Sequence, residues 1–100
     1  LKLLRKASAH DYWLHLRDYP GAHGILHRDK SKEISESDLT QALQRFILES
    51  QSSKTAFREG DPVDVIVCEC RFVRPIKGDK LGRVSYQNER LVRVRFEAKR

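Results

Sequence analysis

One hundred residues, 39% of them apolar, suffice for one small domain and leave no room for a second core. No run of about 18 apolar residues occurs, and residues 1–6 are too short for a signal-peptide core, so neither a membrane span nor secretion is indicated and a cytoplasmic location is expected. The net charge of +6 is segregated: residues 1–70 hold 10 Lys/Arg against 11 Asp/Glu, residues 71–100 hold 10 against 3, which points to a polyanion partner, most simply a nucleic acid.

In chain order, residues 11–26 hold the single Trp, two of three Tyr and two of four His around Pro20-Gly21. Pro followed by Gly supplies the fixed negative φ and the positive φ of a type II turn, so this stretch predicts a hairpin. Alternation on its near side puts Tyr12, Leu14 and Leu16 on one face and Trp13, His15 and Arg17 on the other, a donor-rich aromatic surface. Asp11 is placed to accept a hydrogen bond from His15 or Arg17. Residues 28–32 are polar, lack periodicity and predict a loop. Leu39, Ala42, Leu43, Phe46 and Ile47 then recur at helical offsets, predicting an amphipathic helix over residues 36–50, with Ser35 and Asp38 in a capping arrangement.

Gly60-Asp61-Pro62 punctuates before a β-branched run, residues 63–68, that predicts a buried strand continued by Phe72 and Val73. Cys68 and Cys70 on that strand are expected on opposite faces and to remain reduced. A loop bearing Lys77 and Lys80 follows, then residues 82–86 and 91–96 predict a hairpin across residues 87–90. In its last strand Val92, Val94 and Phe96 face one way and Leu91, Arg93 and Arg95 the other, with Arg83 or Arg90 joining them from the partner strand. The fold expected is α+β: one antiparallel sheet of hairpins with one main helix packed on it.

Asp11, Trp13, His15, Pro20, Gly21 and His23 together resemble the signature of the NFACT-R domain of ribosome quality-control factors, some of which carry an older "fibronectin-binding protein A" name. The order of the second half agrees: a Val-rich strand, Phe72-Val73-Arg74-Pro75, a Lys77-Gly78 loop and Gly82-x-Val84. The resemblance covers residues 6–96. Ala22 departs from the family's usual Ser, Gly24 from a β-branched residue, and Cys68-Glu69 from Tyr-Thr. The family's two opening strands do not precede this signature, so the resemblance implies a truncated or short standalone member. It also implies an RNA-binding module that contacts ribosomal or transfer RNA and the large ribosomal subunit in the rescue of stalled ribosomes.

On this reading Trp13, His15 and His23 recognise bases or backbone, while Arg71, Arg74, Lys77, Lys80, Arg83, Arg93 and Arg95 hold phosphates. Trp13 also reads as an ordinary core residue. His15 and His23 could alternatively serve as an acid and base on a ribose 2′-OH, making a small RNA-processing enzyme, and a protein-binding module of the fibronectin-binding kind is a third reading. The expectation carried forward is a non-enzyme. His10, His15, His23 and His27 form no metal-binding motif, and no metal or cofactor is implied.

Overall fold

A computed structural model describes residues 6–19, 22–29, 32–52 and 56–98. The chain forms β1 (Tyr12–Leu16), β2 (His23–Leu26), α1 (Glu36–Glu49), β3 (Pro62–Glu69), a 3-10 turn (Cys70–Phe72), β4 (Val73–Pro75), β5 (Val84–Tyr86) and β6 (Arg90–Arg95). The main sheet has the order β2-β1-β3-β6 and is antiparallel throughout; β4 and β5 form a separate two-stranded sheet. The α+β architecture expected from the pattern is the one observed.

Period-two alternation sorts β1 and β3 between two cores. Leu14, Leu16, Val63, Val65 and Val67 face α1, where Leu39, Leu43 and Ile47 meet them together with Val94 and Phe96 from the last strand. Trp13, Ile66 and Cys68 face the other way and join Cys70 and Val73 in a second cluster, which Val84 and Tyr86 of β5 help to cover. Both faces of β3 are therefore buried, which explains its nearly continuous apolar run. The start of α1 is fixed by Ser35, whose Oγ accepts the Asp38 N–H at 3.0 Å, and by Glu36 and Asp38 at the positive end of the helix. Buried Gln44 ties α1 to the exit of β6: its amide nitrogen donates to the Arg95 carbonyl, and its amide oxygen accepts the Glu97 N–H.

Several details differ from the sequence expectation. Residues 82–86 do not form a hairpin with residues 91–96. β5 pairs with β4, Val73 opposite Tyr86, whereas β6 pairs with β3 from Pro62↔Arg95 to Val67↔Arg90. The longer pairing delivers Val92, Val94 and Phe96 to the main core, and Asn88, at φ 57° in the left-handed region that Asn tolerates, lies where the chain leaves one sheet for the other. Arg83 and Arg90 are consequently not cross-strand neighbours of Arg93 and Arg95. Phe72 lies in the 3-10 turn, and Val73 opens a new strand rather than continuing β3. Cys70 joins the same cluster as Cys68 instead of facing away from it, because period-two alternation places residues two apart on one side of a strand; both thiols are free and buried. Burial first, then the nearby Asp11 charge and Cys68, pushes the Cys70 thiol up to about 11, so it stays protonated at neutral pH. The expected Pro20-Gly21 turn lies outside the described residues.

Candidate nucleic-acid interface

The β1–β2 hairpin aligns three rings. Trp13 and His15 are two apart on β1 and therefore share a face, and His23 sits directly opposite His15. The Trp13 and His15 rings are stacked, with centroids 5.4 Å apart and planes within 5°; His15 and His23 are also 5.4 Å apart, and Trp13 and His23 are 6.0 Å apart. Tyr86 of β5 packs on Trp13 at 5.3 Å. Trp13 is only 1% exposed, so it is a core residue whose face no base can reach, while both histidines are half-buried. Trp13 Nε1, His15 Nδ1 and His23 Nδ1 are enclosed without a hydrogen-bond partner among the described residues. Burial lowers the pKa of both histidines below the ordinary imidazole value, helped at His15 by the His23 charge. Both imidazoles are thus neutral at pH 7.

Beyond the rings, the same sheet face carries a charged row. Asp64 of β3 lies opposite Arg93 of β6 and is buried. Arg93 grips it in a two-bond fork, Nε to Oδ1 at 2.8 Å and a terminal nitrogen to Oδ2 at 3.1 Å, and Arg17 approaches from β1 at 3.2 Å. The Arg93 hydrogen bonds hold the Asp64 carboxyl below the usual carboxylate range against the opposing effect of burial, with the Arg93 and Arg17 charges adding to them.

The predicted phosphate-binding residues divide into two groups. Arg71 pairs with Glu69 at 2.7 Å, Arg83 with Asp79 at 2.8 Å, and Arg93 with Asp64. Arg74 and Arg95 reach only backbone carbonyls, of Val73 and Gly60, and Lys77 and Lys80 have no ion pair among the described residues. Among the described residues, Arg74, Lys77, Lys80 and Arg95 thus have no carboxylate partner, three of them on or beside the loop between β4 and β5 and one on β6.

Sequence reasoning missed a polar hub at the far end of the hairpin. Asp11 is 2% exposed and accepts the Ser8 N–H at 2.8 Å, the Arg28 N–H at 3.1 Å and the His27 Nδ1–H at 2.8 Å, rather than any bond from His15 or Arg17. Burial opposes its ionisation, but these three hydrogen bonds outweigh burial and lower its pKa. His27, itself 71% exposed at the side chain, is thereby fixed with the proton on Nδ1 when neutral. Arg28 lies over the Tyr12 ring at 4.4 Å, donates to the His10 carbonyl and pairs with Glu69 at 2.7 Å. Residues 28–32 were expected to be an unremarkable polar loop; Arg28 reaches a partner 41 positions away, and no local spacing signals such a bond.

No protein-family model matches this chain, and no curated protein sequence matches it. Among solved structures, the C-terminal region of the fibronectin/fibrinogen-binding protein from Streptococcus suis is similar, with a TM-score of 0.73 and 24% sequence identity over 97% of this chain. The chain spans 36% of that structure's length. Among the described residues, no helix is long and apolar enough to cross a membrane. What the likeness establishes is the fold: the chain shares its α+β architecture with the C-terminal region of a fibronectin/fibrinogen-binding protein.

Proposed function

We propose that this domain is a non-enzymatic RNA-binding module that holds ribosomal or transfer RNA and works on the large ribosomal subunit in the rescue of stalled ribosomes. The observation that carries this reading is the basic charge of the last thirty residues: among the described residues it falls on the 3-10 turn (Arg71), β4 (Arg74), the β4–β5 loop (Lys77, Lys80, Arg83) and β6 (Arg90, Arg93, Arg95), and Arg74, Lys77, Lys80 and Arg95 have no carboxylate partner there. Arg71, Arg83 and Arg93 stay paired with largely buried carboxylates, but their own side chains are mostly exposed and add a weaker contribution to the field. The NFACT-R-like residues from Asp11 to His23 support the ribosomal setting. Trp13 contributes by holding His15 and His23 in place rather than by stacking a base, and the neutral imidazoles serve as hydrogen-bonding groups at the rim.

The test compares wild type with Arg74→Ala/Lys77→Ala/Lys80→Ala and with Lys32→Ala/Arg58→Ala, which removes the same kind of charge elsewhere. Binding of labelled ribosomal RNA fragments and co-sedimentation with large subunits should weaken at least tenfold in the first variant and little in the second. Equal losses in both would show that position is irrelevant and defeat the assignment. The acid–base reading of His15 and His23 has weaker support, because a ribose held between the two rings would need a gap of roughly 7 Å, two van der Waals contacts, and their centroids are 5.4 Å apart. Turnover of labelled RNA by wild type but not by His23→Ala at any pH from about 5 to 8 would reinstate it. Binding of a matrix protein such as fibronectin draws support only from the name of the S. suis protein; its mark would be affinity for a protein partner that is insensitive to salt.

A further inference from the structure

The loop between β4 and β5, residues 76–83, combines three properties that rarely coincide on a surface. It is apolar where apolar side chains have nothing to cover: Leu81 is 79% exposed and Ile76 44% exposed, although Val73, three residues earlier, is buried. It is basic, since residues 74–83 contain Arg74, Lys77, Lys80 and Arg83 against the single carboxylate of Asp79.

It is also tightly built. The Ile76 N–H donates to the Arg83 carbonyl at 3.1 Å, the Asp79 N–H to the Ile76 carbonyl at 3.2 Å and the Gly82 N–H to the Asp79 carbonyl at 3.2 Å. Asp79 takes the Arg83 backbone N–H at 2.6 Å and the Arg83 guanidinium at 2.8 to 3.2 Å. Gly78 and Gly82, at φ 77° and 70°, supply the left-handed backbone that these successive turns require, and the space beside each is open, so conformation rather than crowding demands glycine. An ordered loop that keeps a leucine in water has its binding conformation already formed, which lowers the entropic cost of docking.

We propose that this loop is a preformed finger for RNA with unpaired bases, in which Lys77 and Lys80 hold phosphates while Leu81 and Ile76 pack against exposed base and ribose faces. The inference rests on the RNA-binding reading and specifies the element and the form of RNA. Unpaired bases splay their faces outward, whereas a continuous A-form duplex offers a deep, narrow major groove that side chains do not read. A membrane surface is the competing partner for a basic loop with exposed leucine. Residues 74–83 contain no Trp, Tyr or Phe, the side chains that anchor such loops in the interface, and two aliphatic side chains provide little area for insertion.

The experiment measures fluorescence anisotropy of a short labelled single-stranded RNA, and of the same strand in a blunt duplex, against wild type, Leu81→Ser, Ile76→Ser and Lys77→Ala/Lys80→Ala. Thermal melts confirm that each variant folds, as the exposure of these side chains leads one to expect. Leu81→Ser should weaken single-strand binding about fivefold to tenfold with an unchanged salt slope, and duplex binding little. The double lysine variant should reduce the magnitude of the salt slope by about 1.4. If the lysine variant loses affinity and neither Leu81→Ser nor Ile76→Ser does, the finger is wrong and the RNA-binding reading survives. If wild type binds neither RNA, both fail. Co-sedimentation with phosphatidylserine vesicles that is abolished by Leu81→Ser, without a matching loss of RNA affinity, would overturn the proposal in favour of a membrane anchor.

Discussion

Gly24 shows how one position both departs from a family pattern and explains itself. A Cβ there would meet the Phe46 ring of α1 at 3.0 Å, closer than ordinary contact, so the missing side chain on β2 is replaced by an aromatic ring from the helix. Gly24→Val should therefore destabilise the domain by about 1–3 kcal/mol in urea unfolding. Phe46→Ala in the same chain should recover part of that loss, a non-additivity that independent sites would not show. The buried carboxylates set the acid limit of the fold. Asp11 and Asp64 both have folded pKa values below the ordinary carboxyl value of 3.8, so their stabilisation is fully present above that value and is lost as pH falls through it towards the folded pKa. Asp11→Asn should lower stability at pH 7 and blunt the acid transition. His15 and His23 act in a higher window: with folded pKa values below 6.5, they favour the unfolded chain as pH drops through 6.5, because it takes up protons first. The urea midpoint should decline between about pH 7.5 and 5.5, and a His15→Gln/His23→Gln variant should flatten that decline; an unchanged slope would show that the pair is not desolvated.

Elements were legible to different degrees, for physical reasons. The helix was readable because its stripe, Leu39, Leu43 and Ile47, and its cap at Ser35 are local signals, and Ser35→Ala should cost about 1 kcal/mol in thermal unfolding. The two faces of β1 were equally plain from alternation. Strand partners were not, because Val84 and Tyr86 read as a hairpin arm wherever a turn follows, and only the need to cover Trp13 and Val73 sends β5 to β4. The same limit applied to side chains. Which of Arg71, Arg74, Lys77, Lys80, Arg83, Arg93 and Arg95 already has a carboxylate depends on cross-strand register and on the Asp79 turn, neither of which residue spacing contains. Trp13 was ambiguous between core and surface until β4 and β5 were known to close over it.

At the scale of the whole molecule, the fold separates two jobs. α1 seals one face of the sheet with an apolar core, and the described cations of the last thirty residues lie on the 3-10 turn, β4, the β4–β5 loop and β6, elements that leave the helix to its packing role. Arg93 is a poor residue for testing attraction, since removing it leaves buried Asp64 with Arg17 as its remaining ion-pair partner among the described residues. Better gauges are the cations of the last thirty residues that have no carboxylate partner among the described residues: Arg74, Lys77, Lys80 and Arg95. The most direct test of the central claim is the affinity of the intact domain for single-stranded RNA measured across a salt series. Engagement of all four cations predicts a slope of log K against log salt of about −2.8, at about −0.7 per phosphate, falling towards zero in Arg74→Ala/Lys77→Ala/Lys80→Ala/Arg95→Ala. A slope near zero in wild type, or one that survives removal of all four, would contradict the account.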